Sequence, residues 1–196
     1  MIRNKTRGFS LLELLTIVAV IFILAALSVP RLMTQVYIIR IHYSANNVSG
    51  QLQRTRMEAV RKNSFYTLQY TAGSPGLVTV ADKTGTTVTT IPEAVLGANV
   101  TSFYGTGSGA PGESSLVTTL GFTPALSTAG SPGFNSRGLP CVPVGQVCTP
   151  IAGQGFVFFL SGPIASGGTL GWSAVAVTPS GRCQVWEFDG TNWVQL

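Results

Sequence analysis

Apolar positions along this chain fall into three regimes. From Phe9 to Val29 they form a run of 21 residues in which Glu13 is the one ionisable side chain. As a helix rising about 1.5 Å per residue, that run is long enough to cross a bilayer core of about 30 Å. From Arg31 to Lys62 the apolar residues recur every third or fourth position. Leu32, Val36, Ile39 and Tyr43 do so first, then Ala45, Val48, Leu52 and Ala59. Arg31, Gln35, Arg40, Gln51, Arg54, Arg61 and Lys62 fall mostly on other faces. This spacing predicts one long helix from about Phe9 to about Lys62, roughly 80 Å if continuous. Its first half is apolar on all sides. Its second half is amphipathic, with the apolar face expected to pack on a sheet. Pro30 removes one backbone bond without ending such a helix. Gly50 and the polar run Ser44-Ala45-Asn46-Asn47 are the places where it would bend.

From Ser64 the period changes to two, the mark of half-buried strands. Phe65–Tyr70 and Leu77–Ala81 read as strands joined by Gly-Ser-Pro-Gly, and a turn at Asp82-Lys83-Thr84-Gly85 leads to a further strand at Thr86–Ile91. Val100–Tyr104 and Leu116–Phe122 are two more expected strands, separated by a glycine-rich loop. In that loop Gly107-x-Gly109-x-x-Gly112 spells the dinucleotide fingerprint. The mechanism requires a helix opening within it, whereas Pro111 interrupts it and a strand-like segment follows, so it reads as a loop. Gly155–Leu160 is a buried-strand candidate. Trp172–Phe188 reads as a terminal hairpin around Thr-Pro-Ser-Gly.

Composition sharpens the picture. The 196 residues suffice for the stem and one globular domain, with few charges (10%), 23 Gly and 11 Pro. The formal charge of +5 includes Arg3, Lys5 and Arg7. Without them it falls by three, to +2, too little to imply general nucleic-acid binding. Those three basic residues form a short leader with no apolar core of its own, unlike an ordinary secretory signal. They predict a cytoplasmic N-terminus with the head outside the inner membrane. Catalytic chemistry finds little material. His42 is the single histidine, acids are scarce, and no nucleophile–base pair can be assembled. Glu187 and Asp189, two apart, form a weak candidate cation site, and no cofactor or metal is expected. Trp172, Trp186 and Trp193 crowd the end of the chain, as hairpin packing or as an aromatic contact surface.

The residues Gly8-Phe9-Ser10-Leu11-Leu12-Glu13 resemble the processing site of type IV prepilins and type II secretion pseudopilins. The resemblance implies cleavage between Gly8 and Phe9 by a membrane peptidase, N-methylation of Phe9, and pairing of the Glu13 carboxylate with a neighbouring subunit's Phe9 amine. Methylation keeps the amine charged, and opposite charges in a low-dielectric bundle are far cheaper together than apart. Pro30 matches the proline that ends the apolar run of pilin stems. The segment Gln51–Asn63 resembles the stem end of GspH/FimT-type minor pseudopilins, where a Leu-Gln-x-Arg-x-x-Glu-Ala-x-Arg-x-Asn pattern leads into the first strand. Within it Arg54 and Glu58 stand at i and i+4, as for a helical ion pair. Phe134-Asn135-Ser136-Arg137-Gly138 resembles a Phe-x-x-x-Gly turn of these heads. The stretch from Ala72 to Ser131 matches weakly.

The implied fold class is α+β, type IV pilin-like: a long N-terminal helix packed on a C-terminal antiparallel β-sheet head. The implied organisation is a leader at 1–8, a transmembrane and assembly helix at 9–30, its amphipathic continuation at 31–63 and a periplasmic head at 64–196. The implied function is that of a non-catalytic minor pseudopilin in a type II secretion pseudopilus, or alternatively a minor pilin of a type IV pilus. A membrane-tethered binding module that never assembles is the reading from another class. Expected partners are other pilins through the stem, the processing peptidase and methyltransferase, and inner-membrane lipid. An oxidising periplasm would let Cys141 and Cys148 bridge, at about 2–3 kcal/mol on the chain-entropy model. Cys183 would then be a buried reduced thiol, or one that pairs between chains. Some FimT-type relatives bind DNA through a Gly-Arg-x-Arg hairpin tip. Here Gly181-Arg182-Cys183-Gln184 keeps one arginine, so Arg182 is the sole candidate DNA contact and DNA is not an expected partner.

Overall fold

The structure, a computed structural model, describes residues 10–71, 76–91, 93–97, 100–104, 108–124, 132–150, 152–164 and 170–196. Helix α1 spans Leu11–Arg61, 51 residues without a break, passing through Pro30, Gly50 and the polar run at 44–47. It starts at Ser10, whose Oγ accepts the Leu12 N–H at 3.3 Å, a conventional N-cap. It ends in a Schellman arrangement: the Asn63 N–H donates to the Val60 carbonyl and the Ser64 N–H to that of Ala59. Asn63 supplies the required left-handed residue at φ 49°.

Among the described residues the head has twelve strands: β1 (Tyr66–Thr71), β2 (Leu77–Ala81), β3 (Ala94–Val95), β4 (Thr101–Tyr104), β5 (Thr123–Pro124), β6 (Gly133–Phe134), β7 (Pro140–Val144), β8 (Val147–Pro150), β9 (Gln154–Pro163), β10 (Leu170–Val177), β11 (Cys183–Phe188) and β12 (Trp193–Gln195). They form two sheets rather than one. The first has the order β3-β2-β1-β6-β7-β8 and the second β12-β11-β10-β9-β4. Pairing is antiparallel throughout, except that β5 runs parallel to β9. The architecture is α+β with the long helix packed on antiparallel sheets, as expected of a pilin-like chain.

One core lies between α1 and both sheets. Ile41, Ala45, Val48 and Leu52 of the helix meet Leu68, Val78 and Val80 of the first sheet and Phe156, Phe158, Val175 and Val177 of the second. The polar run at 44–47 is part of this docking face, with Ser44 and Ala45 buried, which is why no bend occurs there. The opposite face of the second sheet carries a separate core of Val157, Phe159, Ala174, Ala176, Trp186 and Trp193. Alternate residues of β9 therefore face two cores, so its sequence is an unbroken apolar run. Gly155 belongs to this crowding: a Cβ there would sit 2.0 Å from the Val177 carbonyl oxygen.

The second core has its own cover, and here two expectations fail. Leu116–Phe122 is not a strand: helix α2 occupies Glu113–Leu120 and buries Leu116 completely. Leu116 and Leu120 are one helical turn apart and both reach the exposed side of the sheet. Gly121, at φ 70°, closes the helix. The loop before it is not followed by a strand, although no dinucleotide unit results. β4 is antiparallel to β9, and the Glu113 carboxylate in the first turn of α2 accepts the Ser108 N–H and hydroxyl. Gly107 lies outside the described residues. Thr86–Ile91 likewise forms no strand, only a bridge from Thr87 to Ala81 followed by turns, while Val88 and Ile91 pack on the core.

Candidate functional site

The candidate site is the stem. Glu13 stands in the first turn of α1, where a carboxylate is favoured by the positive end of the helix dipole. Its side chain is exposed, as is every side chain from Ser10 to Val29, with Leu11 at 81% and Phe22 at 71%. The helix is long and apolar enough to cross a membrane. Gly8 and Phe9, and hence the cleavage and methylation position, lie outside the described residues. Pro30 lies in the unbroken helix.

Beyond Pro30 the helix carries two apolar stripes, not one. The stripe of Ile41, Ala45, Val48, Leu52 and Ala59 is buried in the head. The stripe of Leu32, Val36, Ile39 and Tyr43 is exposed, Ile39 at 63%. Tyr43 precedes Ala45 by two residues, and at about 100° per residue the stripes lie on nearly opposite faces of α1. The apolar surface of the membrane half thus continues past Pro30 on the side facing away from the head.

Among the described residues, polar side chains of the stem fasten it to the head, Ser44 Oγ accepting the Gly97 N–H at 2.7 Å. Arg56 donates from Nε to the Gly138 carbonyl at 3.0 Å and from Nη2 to the Ser180 carbonyl at 3.3 Å. It thereby holds the Asn135 turn and the β10–β11 turn together. His42 Nε2 lies 2.8 Å from Glu187 Oε1 on β11. The Asn47 side chain donates to the Val95 carbonyl at 3.1 Å. Neither His42–Glu187 nor the Arg56 clamp has a local sequence signal, because the partners meet only in the folded head. Glu58 pairs with Arg61, not Arg54: the Arg61 guanidinium donates from Nε at 2.9 Å and Nη2 at 2.6 Å. That hydrogen bonding holds the Glu58 carboxyl below its ordinary range. On an exposed helix such a pair contributes a few tenths of a kcal/mol.

Glu187 and Asp189 do not converge as ligands for a metal ion. Glu187 faces His42, and Asp189 Oδ1 accepts the N–H groups of Thr191 and Asn192. Among the described residues no group of three His, Cys, Asp or Glu side chains is placed to hold a metal. Cys141 and Cys148 are joined by a disulfide across the β7–β8 hairpin. Trp186 and Trp193 are buried, the latter donating from Nε1 to the Pro111 carbonyl at 3.0 Å, while Trp172 is partly covered. Arg182 is exposed beside the β10–β11 turn.

Cys183 is a free, half-covered thiol. Burial pushes it up to about 11, against a smaller opposing pull from the Arg56 charge. The reactive thiolate is correspondingly scarce. With an unperturbed thiol near 8.5, iodoacetamide should alkylate Cys183 of the folded chain at pH 8 at least about tenfold more slowly than the urea-unfolded chain. Equal rates would show the thiol to be open.

No protein-family model and no solved structure matches the chain. It is similar to the pilin-like protein PilA1 of Thermus thermophilus, 33% identical over 78 residues, which is 39% of this chain and 49% of that protein. The chain thus spans about half the length of this relative. The likeness and the long helix on a β-sheet head together fit a type IV pilin-like fold.

Proposed function

We propose that this chain is a non-catalytic, membrane-anchored filament subunit, a minor pseudopilin of the GspH/FimT type that serves a type II secretion pseudopilus. One observation carries the reading: the stem from Leu11 to Val29 is apolar, wholly uncovered by its own head, and holds a single acid in its first turn. Such a surface requires lipid or other helices around it. In this reading the peptidase cuts between Gly8 and Phe9, Phe9 is N-methylated, and the stem is stored in the inner membrane with the head periplasmic. It then passes into a filament core of other stems. Loss of lipid is offset there by packing along the outward stripe and by pairing of Glu13 with a neighbour's Phe9 amine. That pair fixes axial register, a role buried polar groups take in helix bundles.

The name of the Thermus relative favours a second reading, a minor pilin of a type IV pilus. Salt-sensitive DNA binding weakened by Arg182→Ala would point to a pilus used for DNA uptake. Mass spectrometry tests the shared premise. Expressed beside a processing peptidase, the chain should begin at Phe9 with one added methyl group. A product that keeps its first eight residues would overturn assembly and leave a tethered β-rich head.

A further inference from the structure

A cavity of about 390 Å³ opens where α1 leaves the head, within the size range of small-ligand sites. Ile38 and Ile41 of the stem form one wall, and Leu170, Trp172 and Phe188 of β10 and β11 form the other. Its titratable lining among the described residues is His42, Glu187 and Asp189. Two carboxylates against one imidazole leave the cavity negative whether or not the imidazole is protonated. Backbone N–H groups hold the Asp189 carboxyl below its usual range, keeping it charged near neutral pH. Glu187 spends Oε1 on His42 but stays 31% exposed, and a carboxylate has lone pairs for further donors. Trp172 and Phe188 add aromatic surface, which attracts cations and covers apolar groups.

We infer that this cavity binds an ammonium group carried on an apolar body: the cation meets Glu187, and the body lies between the stem isoleucines and Trp172. A neutral ligand of the same shape gains only the apolar part, and an anion is repelled. The site is independent of filament assembly, since every group in it belongs to one chain. Its ligand is either a soluble organic amine or the headgroup amine of a lipid with its chain in the cavity.

The test uses the full chain in nanodiscs of phosphatidylglycerol, which has no amine, at salt high enough to screen the bilayer charge. Fluorine NMR line broadening compares 4-fluorophenethylamine with 2-(4-fluorophenyl)ethanol. The amine should bind saturably and at least tenfold more tightly than the alcohol. Glu187→Gln should lower amine affinity at least tenfold. Ile38→Trp, which fills the cavity from the stem side and leaves the carboxylates in place, should abolish binding by both. Equal affinity for amine and alcohol, insensitivity to both substitutions, or no saturable response would overturn the inference. With the site upheld, replacing half the lipid by phosphatidylethanolamine identifies the source. A weakened apparent amine affinity assigns the lipid headgroup, and an unchanged one assigns a soluble amine.

Discussion

Glu13→Ala should leave the chain in the membrane and remove it from the filament. In the bilayer the substitution is harmless, since a carboxylate in an apolar helix costs up to about 2.5–3.5 kcal/mol on insertion scales and alanine costs far less. Among other stems the sign reverses. Removing one partner of a buried pair leaves the other charge uncompensated, at about 3–5 kcal/mol. At about 1.4 kcal/mol per factor of ten, incorporation should drop at least a hundredfold. Cysteine crosslinking to other pilins, beside membrane fractionation, reads both quantities. Undiminished crosslinking of the alanine variant would remove Glu13 from any role in register. Glu13→Gln should fail as well, since it keeps the shape and loses the charge.

The second large effect concerns the docked half of the stem. Leu52 is fully buried in the core that α1 shares with both sheets. Leu52→Ala should destabilise the folded head by about 2–5 kcal/mol, the range for leucine truncation in cores that collapse only partly. For a chain of this size each kcal/mol is worth about 2–4 °C in Tm. A fall of roughly 4–20 °C is therefore expected by circular dichroism in detergent. Met57→Ala is the control, because Met57 is 63% exposed on the same helix. It should change stability by no more than about 0.5 kcal/mol. A Leu52→Ala shift no larger than the control's would show that the head folds without the helix.

The stem and the inner strands of the second sheet are legible because their signals are local and periodic. An apolar run and a three-to-four spacing demand a helix whatever surrounds them, and Ser10 and Asn63 mark its ends within a residue or two. β9, β10 and β11 are legible for the same reason, their apolar content and the Thr-Pro-Ser-Gly turn lying in contiguous sequence. What escapes is whatever depends on a partner element. Leu116-Val-Thr-Thr-Leu120 has the β-branched content of a strand, yet becomes α2 because β9 and β10 offer a second apolar face one helical turn long. The division into two sheets leaves no trace in any one strand. The two stripes of α1 share one spacing, so sequence merges them, and only the head shows which is taken. Glu58 had two arginines within helical reach, and the last turn of α1 brings Arg61 rather than Arg54 to it. For Gly8 and Phe9 the sequence resemblance is all there is, since both lie outside the described residues.

The packing of α1 against both sheets also dictates an order of events during synthesis. The helix emerges from the ribosome first, but the second-sheet side of its core is missing until the chain from Gln154 onward has been made. The head can therefore close on its stem only after the last strands have been made. A truncated product lacking those strands should accordingly leave the docking stripe uncovered rather than form a half-built head.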